Sequence, residues 1–174
     1  MKVAVVTFDG FNEIDSLVAA HIVNRVDRPG WRAEITGPSE TLTSANGVVV
    51  HAQQPLEFAS HADAVVVGSG RRTREIVADD ALMARLRFDP RRQLIASQCS
   101  GALVLIRLGL VRDAPICTDR TTQPWIEAAG HRVLDGPFHE LKQRWRDEVP
   151  ADHVIRDTAL SMDEARQWTL EHVF

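Results

Sequence analysis

The sequence predicts an α/β fold built on a mostly parallel sheet with helices on both faces. Three observations carry that expectation. Short apolar runs, at residues 3–8, 64–67 and 94–96, have the unbroken hydrophobicity of strands buried on both faces. Segments with helical spacing alternate with them. The joins fall on turn residues such as Asp9-Gly10, Gly68-Ser69-Gly70 and Asp89-Pro90.

In order, residues 3–8 read as the first strand. From Glu13 the period changes, and Ile14, Leu17, Val18 and Ile22 fall at helical spacing before Pro29-Gly30 ends the segment. Residues 31–36 read as a second strand, and 42–50, broken at Asn46-Gly47, as a hairpin. A short helix is expected at 55–60, a strand at 64–67, and helices at 72–78 and 81–87. The strand at 94–96 then runs into an apolar helix closed by Gly109. Short strands follow at 115–118 and 132–134, on either side of a helix over 122–129 with Pro124 in its first turn. Residues 139–153 are dense in charge with few apolar anchors, and Ser161-Met162-Asp163-Glu164 is a capping box opening a last helix.

With 174 residues, 44% apolar and 25% charged, a single domain over 1–174 is expected. A net charge of -4 with scattered basic residues gives no footing for nucleic acid. No apolar run approaches a membrane span, and the first apolar stretch stops too early for a signal peptide. The 2 cysteines are too few for a disulfide framework, so free thiols and the cytoplasm are expected.

The candidate chemistry centres on Ser97-Gln98-Cys99-Ser100-Gly101-Ala102. Gln98 apart, the residues around Cys99 between strand and helix are small (Ser97, Ser100, Gly101 and Ala102), as a sharp turn presenting a nucleophile requires. A helix start there would lower the thiol pKa. The other reading is a small buried hydrophobe. The Ser100 amide and the Gly68-Ser69-Gly70 turn are candidate donors to a developing negative charge, although that turn also reads as an ordinary βα connection. Glu13 or Asp15, at the same sheet edge, is the candidate to share a proton with Cys99; their other reading is charge at a helix start. The histidines form no triad, no metal-ligand spacing occurs, and Cys117 reads as structural.

These residues together resemble the DJ-1/PfpI superfamily. The resemblance runs over residues 1–138, through Asp9-Gly10-Phe11-Asn12-Glu13-Ile14-Asp15, Gly68-Ser69-Gly70, the cysteine stretch, Gly109-Leu110 and residues 118–125. It implies a flavodoxin-like three-layer sandwich, a homodimer and no cofactor. Carried over by position, it makes Cys99 the nucleophile and Asp15 its carboxylate partner, with Glu13 a helical neighbour. Gly70 and Ser100, with Ser69 beside them, make the anion hole. Ser100, where protease-like members carry histidine, is similar to the isonitrile hydratase and amidase-like branch. The Cys117-Thr118-Asp119 stretch lacks the histidine that many relatives have there. Residues 139–153 depart from the family pattern, as after divergence or a local reading-frame change, which touches one wall of the expected pocket. The implied function is hydration or hydrolysis of a C–N group on a small molecule. The alternative is a non-catalytic redox-sensing or binding member.

Overall fold

The structure, a computed structural model, describes residues 1–134. A parallel sheet of 5 strands has the order β5-β2-β1-β6-β7, formed by β1 (Lys2–Val6), β2 (Arg32–Gly37), β5 (Gln54–Pro55), β6 (Ala64–Val67) and β7 (Leu94–Ser97). A separate antiparallel hairpin pairs β3 (Thr41–Thr43) with β4 (Val49–His51) around the expected Asn46-Gly47 turn.

The strand sequences explain the layering. In β1, Val3 and Val5 enter one apolar cluster with Ala33, Ile35 and Leu42, while Ala4 and Val6 enter another with Val65, Val67 and Val104. Successive side chains point to opposite faces, so a strand that is apolar from Val3 to Val6 fills both cores. Burying each valine is worth about 1.5–3 kcal/mol. Helix α1 (Ala19–Asn24), entered through a wider π-helical turn at Ile14–Val18, covers the first face with Leu17, Ala20 and Val23. Helix α4 (Ala102–Arg107) covers the second with Leu103, Val104 and Leu105. Helices α2 (Thr73–Ala78) and α3 (Asp80–Met83) lie between β6 and β7 in sequence, and α5 (Gln123–Ala128) follows α4.

Several local expectations shift. The periodic residues Ile14, Val18 and Ile22 do not face the core: they are 69%, 44% and 60% exposed. Smaller Ala20 fits close to the sheet and, with Leu17 and Val23, takes the inner face. The expected strands at 115–118 and 132–134 reduce to one parallel bridge between Ile116 and Val133. β5, two residues long, carried no alternating pattern to find. The segments at 135–138 and 139–153 and the capping box at 161–164 lie outside the described residues.

β1 is followed outward on one side by β2 and on the other by β6 and β7, so the strand order reverses between β1 and β6. Such reversals open a crevice at the carboxyl ends of the strands. There the two following loops zip together: Asn12 N–H donates to the Ser69 carbonyl at 2.9 Å, and Arg71 N–H to the Gly10 carbonyl at 2.9 Å. Gly70 permits the approach, since a Cβ on it would stand 2.6 Å from the Gly10 carbonyl oxygen.

Candidate active site

Cys99 stands where β7 ends. Gln98 N–H still donates to the Val67 carbonyl at 3.0 Å, extending the β6–β7 ladder, and then the chain turns sharply into a 3-10 turn, Cys99–Gly101, that leads into α4. The turn is made at Cys99 itself, whose φ of 47° lies in the left-handed region. A non-glycine residue there carries about 1–3 kcal/mol of backbone strain, the mark of a nucleophile elbow. The close packing behind it depends on Gly101, where a Cβ would come within 2.4 Å of the Val67 carbonyl oxygen. Gly101 is therefore a steric necessity of the elbow.

Ser100 is buried and ties the elbow to the neighbouring loop. Its Oγ accepts the Gly70 N–H at 3.3 Å and lies 2.9 Å from Thr73 Oγ1. Asp15 accepts a hydrogen bond from Ser69 Oγ. Glu13 accepts from Ser44 Oγ at 2.5 Å and from Asn46 Nδ2 at 3.0 Å, so its carboxylate clips the hairpin to the start of the α1 segment. The Ser44 hydroxyl, with lesser help from Asn46, holds Glu13 below the ordinary carboxylate range. The loops thus gather Cys99, Ser100, Ser69, Gly70 and Asp15 at one sheet edge. The hydrogen-bond partner of Asp15 is Ser69, and Glu13 is engaged with the hairpin.

Cys99 has different partners. Its Sγ donates to Asp119 Oδ2 at 2.6 Å and lies 3.5 Å from Thr122 Oγ1. Asp119 is held by the turn that starts α5: its Oδ1 accepts Thr121 N–H at 2.7 Å and Thr122 N–H at 3.0 Å. The two carboxylate oxygens therefore divide, one capping the turn and the other facing the thiol. Burial works against the charged form of Asp119, but hydrogen bonds from Cys99, Thr122 and Thr121 outweigh it and hold the carboxyl well below its ordinary range. Cys99 moves the other way. Burial raises its pKa first, and the hydrogen bond to Asp119 adds to the rise, against smaller lowering from the Thr122 hydroxyl and the Ser100 amide. The resting pair is a neutral thiol on an ionised carboxylate, whereas the sequence led us to expect a lowered thiol pKa. Six-residue α4 does not offset the desolvation. The sequence does not mark Asp119 as the thiol's partner; its one signal is an aspartate three residues ahead of Thr122 at a helix start.

Cys117 is a second free thiol, raised by burial. No cluster of metal-ligating side chains occurs among the described residues. Above α5, the Arg74 guanidinium sits 4.6 Å from the Trp125 ring centroid and joins α2 to α5.

The model of the DJ-1/PfpI family matches residues 1–172. The chain belongs to the DJ-1/PfpI family. Solved DJ-1/PfpI structures share its fold. A ThiJ/PfpI family protein from Pseudomonas syringae is 19% identical with a TM-score of 0.69, over 80% of this chain and 59% of that one. This chain thus covers less than two thirds of that neighbour's length. Schizosaccharomyces pombe DJ-1 is 18% identical with a TM-score of 0.68, over 81% of this chain and 80% of its own. Drosophila melanogaster DJ-1beta is 16% identical with a TM-score of 0.64, over 80% of this chain and 77% of its own. No curated protein matches the chain. No helix among the described residues is long and apolar enough to cross a membrane.

Proposed function

We propose that this DJ-1/PfpI member is a cytoplasmic, cofactor-independent enzyme that uses Cys99 as a covalent nucleophile on a small molecule. The reaction class is hydration or hydrolysis of a C–N group, similar to isonitrile hydration. The observation that carries the reading is the left-handed backbone at Cys99, a cost paid at the one residue whose side chain the elbow presents at the sheet edge. The Ser100 and Gly70 amides are the donors for developing charge, the Gly70 N–H by exchanging its Ser100 Oγ partner for substrate, and the Ser69–Asp15 pair is a polar wall that binds substrate. Glu13 acts by holding the hairpin in place.

For an alkyl isonitrile, Cys99 sulfur bonds the terminal carbon and a proton is delivered to that carbon, giving a thioimidate. Water then adds, and collapse expels the thiol and leaves the formamide. The alternative, a redox-sensing thiol, calls for an exposed cysteine of lowered pKa. Burial and the Asp119 contact act on Cys99 in the opposite direction. The working unit in this reading is a homodimer joined through the exposed Ile14, Val18 and Ile22 stripe. Turnover of isonitriles, amides and α-oxoaldehydes by wild type and by Cys99→Ala is the test. Loss of all turnover in Cys99→Ala is expected; full retention on the best substrate overturns the reading.

A further inference from the structure

We infer that Asp119 is the catalytic base of this protein, taking the Cys99 proton as sulfur attacks and returning it to the substrate. The inference rests on the nucleophile reading above and assigns the thiol's proton to the turn ahead of α5, away from the carboxylates that follow β1. Three observations bear on it. Asp119 Oδ2 is 2.6 Å from Sγ, within reach for direct transfer. Asp119 Oδ1 is fixed by two backbone N–H groups, so the second oxygen is aimed without a flexible search. Asp15 and Glu13, the other carboxylates at this edge, are engaged with Ser69 and with Ser44 and Asn46. Among the described residues, Asp119 is the titratable group in hydrogen-bond contact with Sγ.

The chemistry balances without any co-reactant beyond substrate. As the sulfur–carbon bond forms, the S–H bond breaks and its proton moves to Asp119 Oδ2. The lone pair on the isonitrile carbon then accepts that proton from Asp119, giving the thioimidate while the displaced C–N π pair stays on nitrogen, and Asp119 returns to its ionised form. A neutral thiol beside a carboxylate keeps proton and nucleophile together until attack. It suits an uncharged electrophile that gains a proton as it is attacked. An anionic substrate group placed against Asp119 would be repelled.

The test is the pH dependence of Cys99 alkylation by iodoacetamide, followed by peptide mass spectrometry so that Cys99 is read apart from Cys117. It runs beside turnover of an alkyl isonitrile for wild type, Asp119→Asn and Cys99→Ala. Asparagine keeps an oxygen for the turn and removes the charge and the proton acceptor. We expect the wild-type inflection above the ordinary thiol value of about 8.5. In Asp119→Asn it should move down by about one pH unit, so that alkylation at neutral pH rises by roughly threefold. Turnover should fall by about 10²-fold or more. This opposition, faster alkylation with slower turnover, is not produced by a residue that only shapes the turn. A wild-type inflection at or below about 8.5 overturns the inference without any variant. So does an Asp119→Asn profile that overlays wild type, alkylates more slowly, or accompanies unchanged turnover. If Cys99→Ala still turns over substrate, the nucleophile reading fails instead, while the alkylation profiles separately decide where the proton is held.

Discussion

Asp119 and Thr122 act on the same sulfur with opposite sign. The carboxylate accepts the S–H and favours the thiol, while the buried Thr122 hydroxyl favours the thiolate. Thr122→Val should therefore raise the Cys99 inflection and slow alkylation at neutral pH, the reverse of Asp119→Asn, and the same iodoacetamide profile reads both. Acid stability gives a second check. The Asp119 carboxyl titrates lower in the folded chain than in the unfolded one, so its contribution is present above the ordinary aspartate value of about 3.9 and is lost as pH falls through the folded value. Urea midpoints should thus decline on acidification in wild type, and that decline should be shallower in Asp119→Asn.

The turn from β7 into α4 works only if its backbone can lie against β6. Gly101→Ala would drive a methyl group toward the Val67 and Gly68 carbonyl oxygens, both backbone atoms that cannot swing away. A loss of about 1–3 kcal/mol is expected, measured as a lower melting temperature. This element was readable in advance because its constraint is steric, and steric constraints write themselves as small residues beside the reactive one. β1, β6 and the Asn46-Gly47 hairpin were readable for a similar reason, through unbroken burial and turn chemistry. The α1 segment was readable as a helix but not in its facing. Ile14, Leu17, Val18 and Ile22 share helical spacing, yet spacing alone does not say which stripe meets the sheet. The thiol's partner was less legible still, since contact between residues 99 and 119 depends on how the turn before α5 folds back, which local pattern does not encode.

Across the whole molecule, the exposed stripe of Ile14, Val18 and Ile22 is the surface that the proposed homodimer would cover. Light scattering should report a dimer for wild type, and Ile22→Asp, which adds charge at a side chain 60% exposed in the described residues, should yield a monomer that remains folded. The left-handed backbone at Cys99 has its own consequence for how this protein trades durability against reactivity. Glycine tolerates that conformation and alanine does not, so Cys99→Gly should outlast Cys99→Ala on heating by about 1 kcal/mol although both lack the thiol. Selection for stability alone would favour glycine at this elbow. A lineage that keeps cysteine there holds its fold below the attainable maximum, and the size of that deficit measures what the thiol is worth to the organism.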